Sequence, residues 1–407
     1  MTDTQGFYGL GIAPGILSVL DRLNFKVPTP IQEKSIPLAI EGKDLIGIAQ
    51  TGTGKTLAFG IPMIQTVLQG KSKGLVILPT RELALQVYES FMKVGASQGL
   101  KCALLIGGEP IGRQIRDINK NPHIVIGTPG RIIDHLEQRT ITFAQVACLV
   151  LDEADRMLDM GFAPSLHRIL QMVPKERQTM LFSATMPEQI VNIARAQMKL
   201  PVRVEIAPQG STAKDITQEL FFVRKEEKPR LLEKLLQEYR GSVLVFMKTK
   251  FATKRLTRAV SVMGHTVAEI HSNRSLSQRR EALSGFKTGK YRVLIATDIA
   301  ARGIDVKGIE LVLNYDLPMN AEDYIHRIGR TGRAGMAGHA IAFATPDQRG
   351  DVRGIERLMR ISLPQSKLPE LPPARELPPA PAQGSSPRPF RPGYRPGGNF
   401  GRRRFNR

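Results

Sequence analysis

Short apolar runs recur through the first half of this chain, each followed by a stretch with helical spacing. Residues 44–48, 74–78, 102–106, 123–126, 146–151 and 179–182 read as strands. They are nearly unbroken in Val, Ile and Leu, as expected of strands buried on both faces. Over residues 1–207 the pattern therefore predicts an α/β domain, a parallel sheet with helices on both sides. A second block, 215–362, repeats the alternation with strands at 242–247, 293–296 and 311–315. A helix over 228–239 sets Leu231, Leu232, Leu235 and Leu236 on one face. Between the blocks, Pro208 and Gly210 break the pattern, and 208–214 reads as a flexible linker. Beyond 362 the periodicity stops. The chain is Pro-rich to 381, and residues 384–407 hold seven arginines and no acid. So little apolar surface cannot offset the entropy of ordering, so 363–407 reads as a disordered tail.

Charge adds a partner to this picture. Lys and Arg number 58 against 37 Asp and Glu, a formal charge of +21 over 407 residues. So basic a chain suits a polyanion. In the tail, Phe390, Tyr394, Phe400 and Phe405 alternate with the arginines. That mixture suits nucleic acid, through phosphate contacts and base stacking. The two cysteines, Cys102 and Cys148, lie in apolar strand-like runs and read as reduced core thiols, with no spacing that suits zinc. No apolar stretch is long enough for a membrane span, and residues 1–5 lack the character of a signal peptide. A cytoplasmic protein is expected.

Two motifs carry the chemistry. Thr51, Gly52, Thr53, Gly54, Lys55 and Thr56 follow the strand 44–48 and open a helix. Backbone N–H groups of a Gly-rich turn at a helix N-terminus point at phosphates, Lys55 reaches the β- and γ-phosphates, and Thr56 suits magnesium. The usual pattern begins with Gly where this chain has Ala49. The second motif is Asp152, Glu153, Ala154 and Asp155, beginning 97 positions after Lys55. It sits at the C-terminal end of the strand 146–151, the end where open α/β sheets bind ligands. Asp152 suits magnesium, and Glu153 is placed to take a proton from an attacking water. A phosphate cradle and a magnesium carboxylate in one sheet make a nucleotide hydrolase.

With these motifs in place, residues 7–343 resemble the DEAD-box ATP-dependent RNA helicases. Phe25, Pro28, Thr29, Pro30 and Gln32 resemble that family's adenine-reading motif. Gln32 then pairs with N6 and N7 of adenine, and Phe7 stands at the distance of the aromatic that stacks on the base. Asn24 replaces a common Gly. The resemblance assigns RNA-backbone contacts to Arg81 of Pro79–Leu83, to Gly108, to Thr128 and Arg131, and, in the second block, to Arg279 and Thr297. It gives Asp305 a ribose contact. Arg330 and Arg333 become arginine fingers that reach the γ-phosphate across the gap between domains. Asp155, Ser183, Thr185 and His326 couple hydrolysis to domain closure, the two hydroxyls bonding Asp155. One departure stands at position 276. Leu276 occupies a place usually held by Gln, and Gln278 is the candidate to replace it.

The resemblance implies two RecA-like parallel-sheet domains in tandem with a disordered basic C-terminal tail. It also implies one ATP site, because the second block has no Gly-rich loop after its first strand. ATP and Mg2+ are the expected cofactors. Single-stranded RNA and short duplexes are the expected partners, with no membrane, and ribosomal or RNA-decay proteins are further candidates. A monomer is expected. The short Arg-rich tail and the lack of insertions point to the bacterial RhlE-like branch.

Overall fold

A computed structural model describes residues 6–49, 52–70, 72–206, 216–301, 306, 308–332 and 338–375. The first lobe carries strands β1 (Leu45–Ile48), β2 (Lys73–Ile77), β3 (Cys102–Leu105), β4 (Ile124–Gly127), β5 (Val146–Leu151), β6 (Gln178–Ser183) and β7 (Val202–Glu205). Around them lie α1 (Pro14–Arg22), α2 (Pro30–Ile40), α3 (Lys55–Gln69), α4 (Arg81–Gly95), α5 (Ile111–Asn119), α6 (Pro129–Glu137), α7 (Ala154–Asp159), α8 (Ala163–Gln171) and α9 (Glu188–Gln197). The strands order as β3-β4-β2-β5-β6-β1-β7, every neighbouring pair parallel. β5 and β6 thus slot between β1 and β2. The segments that follow β1, β5 and β6, which hold Lys55, Asp152 and Thr185, come out side by side at one edge of the sheet.

The second lobe has β8 (Ile216–Phe222), β9 (Val243–Met247), β10 (Val267–Ile270), β11 (Val293–Thr297), β12 (Leu311–Asn314) and β13 (Gly338–Ala344). Its helices are α10 (Lys228–Glu238), α11 (Lys250–Val262), α12 (Leu276–Lys287), α13 (Asp298–Ala301), α14 (Ala321–Ile328) and α15 (Arg349–Met359). The order is β10-β11-β9-β12-β13-β8, again parallel throughout. Central strands such as β4, β9 and β12 are buried at every position, because helices cover both faces. The four leucines of α10 are buried as the spacing predicts. Cys148 is fully buried and Cys102 half-buried; burial pushes both thiols up to about 12, which leaves them protonated.

The expected domain boundary moves. The compact unit runs to Pro373, so the Pro-rich stretch just past residue 362 is not a free tail. Leu220 N–H donates to Pro364 O at 2.8 Å, and Ser366 N–H donates to Leu220 O at 2.9 Å, extending the sheet beside β8. Leu363 is 3% exposed in the core, and Leu371 packs on the opposite cluster. Arg230 then clasps the carbonyls of Pro372 at 2.6 Å and Leu371 at 3.2 Å. The expected linker 208–214 and the Arg-rich stretch 384–407 lie outside the described residues.

Candidate nucleotide and RNA site

The turn between β1 and α3 ends at Gly54, whose φ of +95° suits glycine alone. A Cβ there would lie 2.5 Å from Gln32 Nε2 and 2.7 Å from Thr29 Oγ1. The close approach has a purpose. Gln32 Nε2 donates to Gly54 O at 3.0 Å, while Gln32 Oε1 accepts from Thr29 N–H at 2.9 Å. Gln32 therefore ties the start of α2 to the phosphate loop, a role its spacing does not reveal. A primary amide has two donor and two acceptor positions, so one of each remains for a base edge. Phe25 is 42% exposed, with ring surface to offer, whereas Phe7 is 3% exposed inside the core. Lys55 is 6% exposed and donates to Ala49 O at 3.0 Å, with Glu153 Oε1 3.8 Å away. Thr53 sits in the same turn and Thr56 in the first turn of α3; Thr51, Asp305 and Arg333 lie outside the described residues.

The acidic motif follows β5 with an unusual backbone. Glu153 has φ 54° and ψ 48°, a left-handed conformation that costs a side-chain-bearing residue about 1–2 kcal/mol. Strain of this kind collects at functional sites. The turn aims the Glu153 carboxylate into a nest of cations. Arg156 Nε lies 2.8 Å from Glu153 Oε2, and both side chains are almost fully buried. Burial alone would push the Glu153 carboxyl up. Arg156, Lys55 and Arg330 outweigh it and hold Glu153 ionised, well below the usual carboxylate range. Asp152 behaves oppositely. Burial, opposed by Lys55 and reinforced by the Glu153 charge, pushes it up to about 6. Asp152 follows β5 and Thr56 follows β1, with β6 between them; a buried carboxylate and a hydroxyl at the same edge of the sheet are hard-oxygen donors of the kind Mg2+ takes.

Asp155 is the hub to the next strand. Its Oδ2 accepts from Ala184 N–H at 3.1 Å, Thr185 N–H at 2.9 Å and the Thr185 hydroxyl at 2.9 Å. Ser183 engages the backbone instead: its Oγ accepts from Asp155 N–H at 3.2 Å. One contact across the lobes is made by Arg156, which the sequence did not single out. Its Nη2 donates to His326 Nδ1 at 3.0 Å. Burial, then the Arg156 charge, pushes His326 down to about 3, so the ring is neutral. A guanidinium can only donate, so Nδ1 is the acceptor and Nε2 carries the proton.

The two described arginines of this stretch, Arg327 and Arg330, separate by environment. Arg330 is 3% exposed, and its charge bears on both Glu153 and His326. Arg327 is structural. It grips Asp298 with Nε at 2.5 Å and Nη2 at 2.7 Å, and donates Nη1 to Asn314 Oδ1 at 2.9 Å and Asp316 O at 2.6 Å. Its guanidinium also stacks 5.0 Å from the Phe246 ring centroid. Arg327→Ala leaves Asp298, Asn314 and a carbonyl without their donor. The expected loss is about 3 kcal/mol of stability, read as a lower urea midpoint at unchanged slope.

A cleft of about 520 Å³ gathers Arg81, Gly108, Thr128 and Arg131 from the first lobe with Arg279 from the second. Thr297, at the end of β11, is not among the residues lining it. Gly108 has φ +81°, and a Cβ on it would meet Arg81 Nη1 at 2.4 Å, so the glycine makes room for that guanidinium. Arg279 has a different first partner from the expected phosphate. It pairs with Glu82 at 2.9 Å, both side chains largely buried. Arg131 Nη1 likewise donates to Glu109 O at 3.1 Å. Leu276 is 6% exposed and joins the hydrophobic cluster of the opposite lobe, near Gly108. An apolar contact thus stands where an amide was expected. Gln278 caps its own helix: Ser275 N–H donates to Gln278 Oε1 at 3.0 Å.

Comparison with known proteins agrees with this geometry. The DEAD/DEAH box helicase family matches residues 29–193, and the helicase conserved C-terminal domain matches residues 227–335. The DEAD-box ATP-dependent RNA helicase CshA of Geobacillus kaustophilus is 43% identical over 373 residues, spanning 91% of this chain and 80% of that protein. The chain belongs to the DEAD-box ATP-dependent RNA helicases. A second DEAD-box relative, CshA of Listeria monocytogenes, is 47% identical over 353 residues, 86% of this chain and 68% of that one. Among solved DEAD-box structures, S. cerevisiae Dbp5 bound to RNA and ADP BeF3 superposes with a TM-score of 0.80 at 30% identity, covering 89% of this chain and 95% of that chain. Mss116p bound to ssRNA and AMP-PNP gives 0.81 at 29% identity, with 89% and 78% covered. A DEAD box protein from Methanococcus jannaschii gives only 0.54, despite 39% identity and 89% and 99% coverage. Like its family, this chain is an ATP hydrolase with two RecA-like domains. Among the described residues no helix is long and apolar enough to cross a membrane.

Proposed function

We propose that ATP and RNA bind together across the two lobes, and that closure assembles the hydrolytic site. The observation that carries this reading is the shared nest around Glu153. Lys55 and Arg156 come from one lobe and Arg330 from the other, and all three charges act on one carboxylate, while Arg156 also bonds His326 of the second lobe at 3.0 Å. The higher TM-scores to chains described with RNA and a nucleotide analogue support reading the present arrangement as the closed one. In that state Gln32 reads the adenine and Phe25 offers ring surface beside it. Lys55 and Arg330 neutralise the γ-phosphate, and Glu153 takes the proton of the attacking water. Thr56 and Asp152 would hold Mg2+, which when bound spreads the phosphate charge. Arg81, Thr128 and Arg131 hold the RNA backbone, and the grip bends one strand enough to separate a short duplex. Asp155 passes the state of the phosphate to Thr185, and Arg156 passes it to His326. Phosphate release then lets the lobes part.

A cytoplasmic monomer acting on ribosomal or RNA-decay complexes fits this chemistry. The named relatives are CshA proteins, so the RhlE-like placement has no support from them. A DNA helicase would share the two lobes. ATP hydrolysis stimulated by RNA and by DNA of the same sequence separates the readings, since the 2′-hydroxyl is the difference. Strong stimulation by RNA with little by DNA is expected; equal stimulation would reject the RNA class.

A further inference from the structure

The first turns of α11 carry an aromatic ring that the fold does not use. Phe251 is 74% exposed. Thr253, Leu256, Ala259 and Val260 turn the other face of the helix into the core. At positions i, i+3, i+4 and i+7, Phe251, Lys254, Arg255 and Arg258 share the outward face, and α11 contains no acid. An aromatic ring flanked by three cations is electrostatically matched to a stacked base with its phosphates, and poorly matched to a cationic or apolar partner. The position supports the same occupant. β9 runs beside β11 with Met247 opposite Thr297, so α11 starts at the C-terminal edge next to an expected RNA contact. Lys250 lies 5.3 Å from the Phe251 ring centroid and donates to Asn273 Oδ1 at 3.0 Å. Asn273 follows Ser272, which lines the cleft already described.

We propose that RNA leaving the cleft continues over α11, with a base stacked on Phe251 and phosphates on Lys254 and Arg255. The inference rests on RNA occupying the cleft and adds a base-stacking platform outside it. A ring accepts any base, so the platform lengthens the footprint without adding sequence preference.

The chain contains no tryptophan, so Phe251→Trp in the full-length protein is a lone fluorescent reporter at the proposed contact. The RNA is a single strand of about 12 nucleotides, long enough to extend past a short site, added with an unhydrolysable ATP analogue. The tryptophan emission should fall and saturate at the RNA concentration where anisotropy of the labelled strand also saturates. Phe251→Ala should weaken binding about tenfold with an unchanged melting temperature and an unchanged salt slope. Exchanging Lys254 and Arg255 for Gln should lower that slope by about 0.7 for each contact removed. Anisotropy that saturates while the emission stays constant would overturn the platform and leave the cleft reading standing. No saturation of either signal would reject both.

Discussion

Glu153→Gln should slow single-turnover ATP hydrolysis about 10³-fold, within the usual range for loss of a general base. ATP and RNA should still bind, because the amide keeps the shape and the hydrogen-bonding reach. The proposed role also accounts for the cations gathered around Glu153. As placed, Glu153 is held well below the usual carboxylate range, which makes a poor proton acceptor. Two of the cations responsible, Lys55 and Arg330, are the ones we propose to meet the γ-phosphate. When they turn to the phosphate, Glu153 keeps its burial but loses much of its positive surroundings. Its basicity then rises at the moment the nucleotide is in place. A Glu153→Gln enzyme that hydrolyses ATP at more than about a tenth of the normal rate would remove the base assignment.

Arg330→Ala should cost a comparable amount, about 10³-fold in kcat, as expected when an arginine finger is lost. Arg330 is 3% exposed and comes from the end of α14 in the second lobe, yet its charge bears on Glu153 in the first. The loss should fall on kcat, with RNA affinity within about threefold, because the arginine acts on the transition state. Lys is not an adequate substitute: it lacks the planar fork, so Arg330→Lys should recover little. Normal turnover in Arg330→Ala would mean that the first lobe hydrolyses ATP unaided.

The fold was legible where burial was total. Val146–Leu151 was read to the residue, because a strand covered on both faces leaves an unbroken apolar run. Edge and near-edge strands were harder. Val202–Glu205 and Val267–Ile270 are four residues long and each carries an acid, so neither stands out from loop. The stretch after 362 misled through its average: prolines dominate the composition, while Leu363 and Leu371 do the packing. In the site, motif order located Lys55, the acids and Asp155. Spacing could not tell Arg327 from Arg330, since only their partners differ: a bidentate grip on Asp298 for one, the Glu153 nest for the other. Arg156 was hidden for the same reason. It follows the acidic motif on an ordinary helix, and its meaning appears only with His326, 170 residues away in the chain.

The central claim is that the hydrolytic site is completed by the second lobe when ATP and RNA are both bound. It is tested most directly by resonance energy transfer between the lobes. Dyes on Glu41→Cys and Arg357→Cys would report the separation, and the native thiols, held protonated near 12, should resist labelling. One discrete closed state should fill only when an unhydrolysable ATP analogue and RNA are present together. A closed state reached fully with either ligand alone, or no change with both, would contradict it.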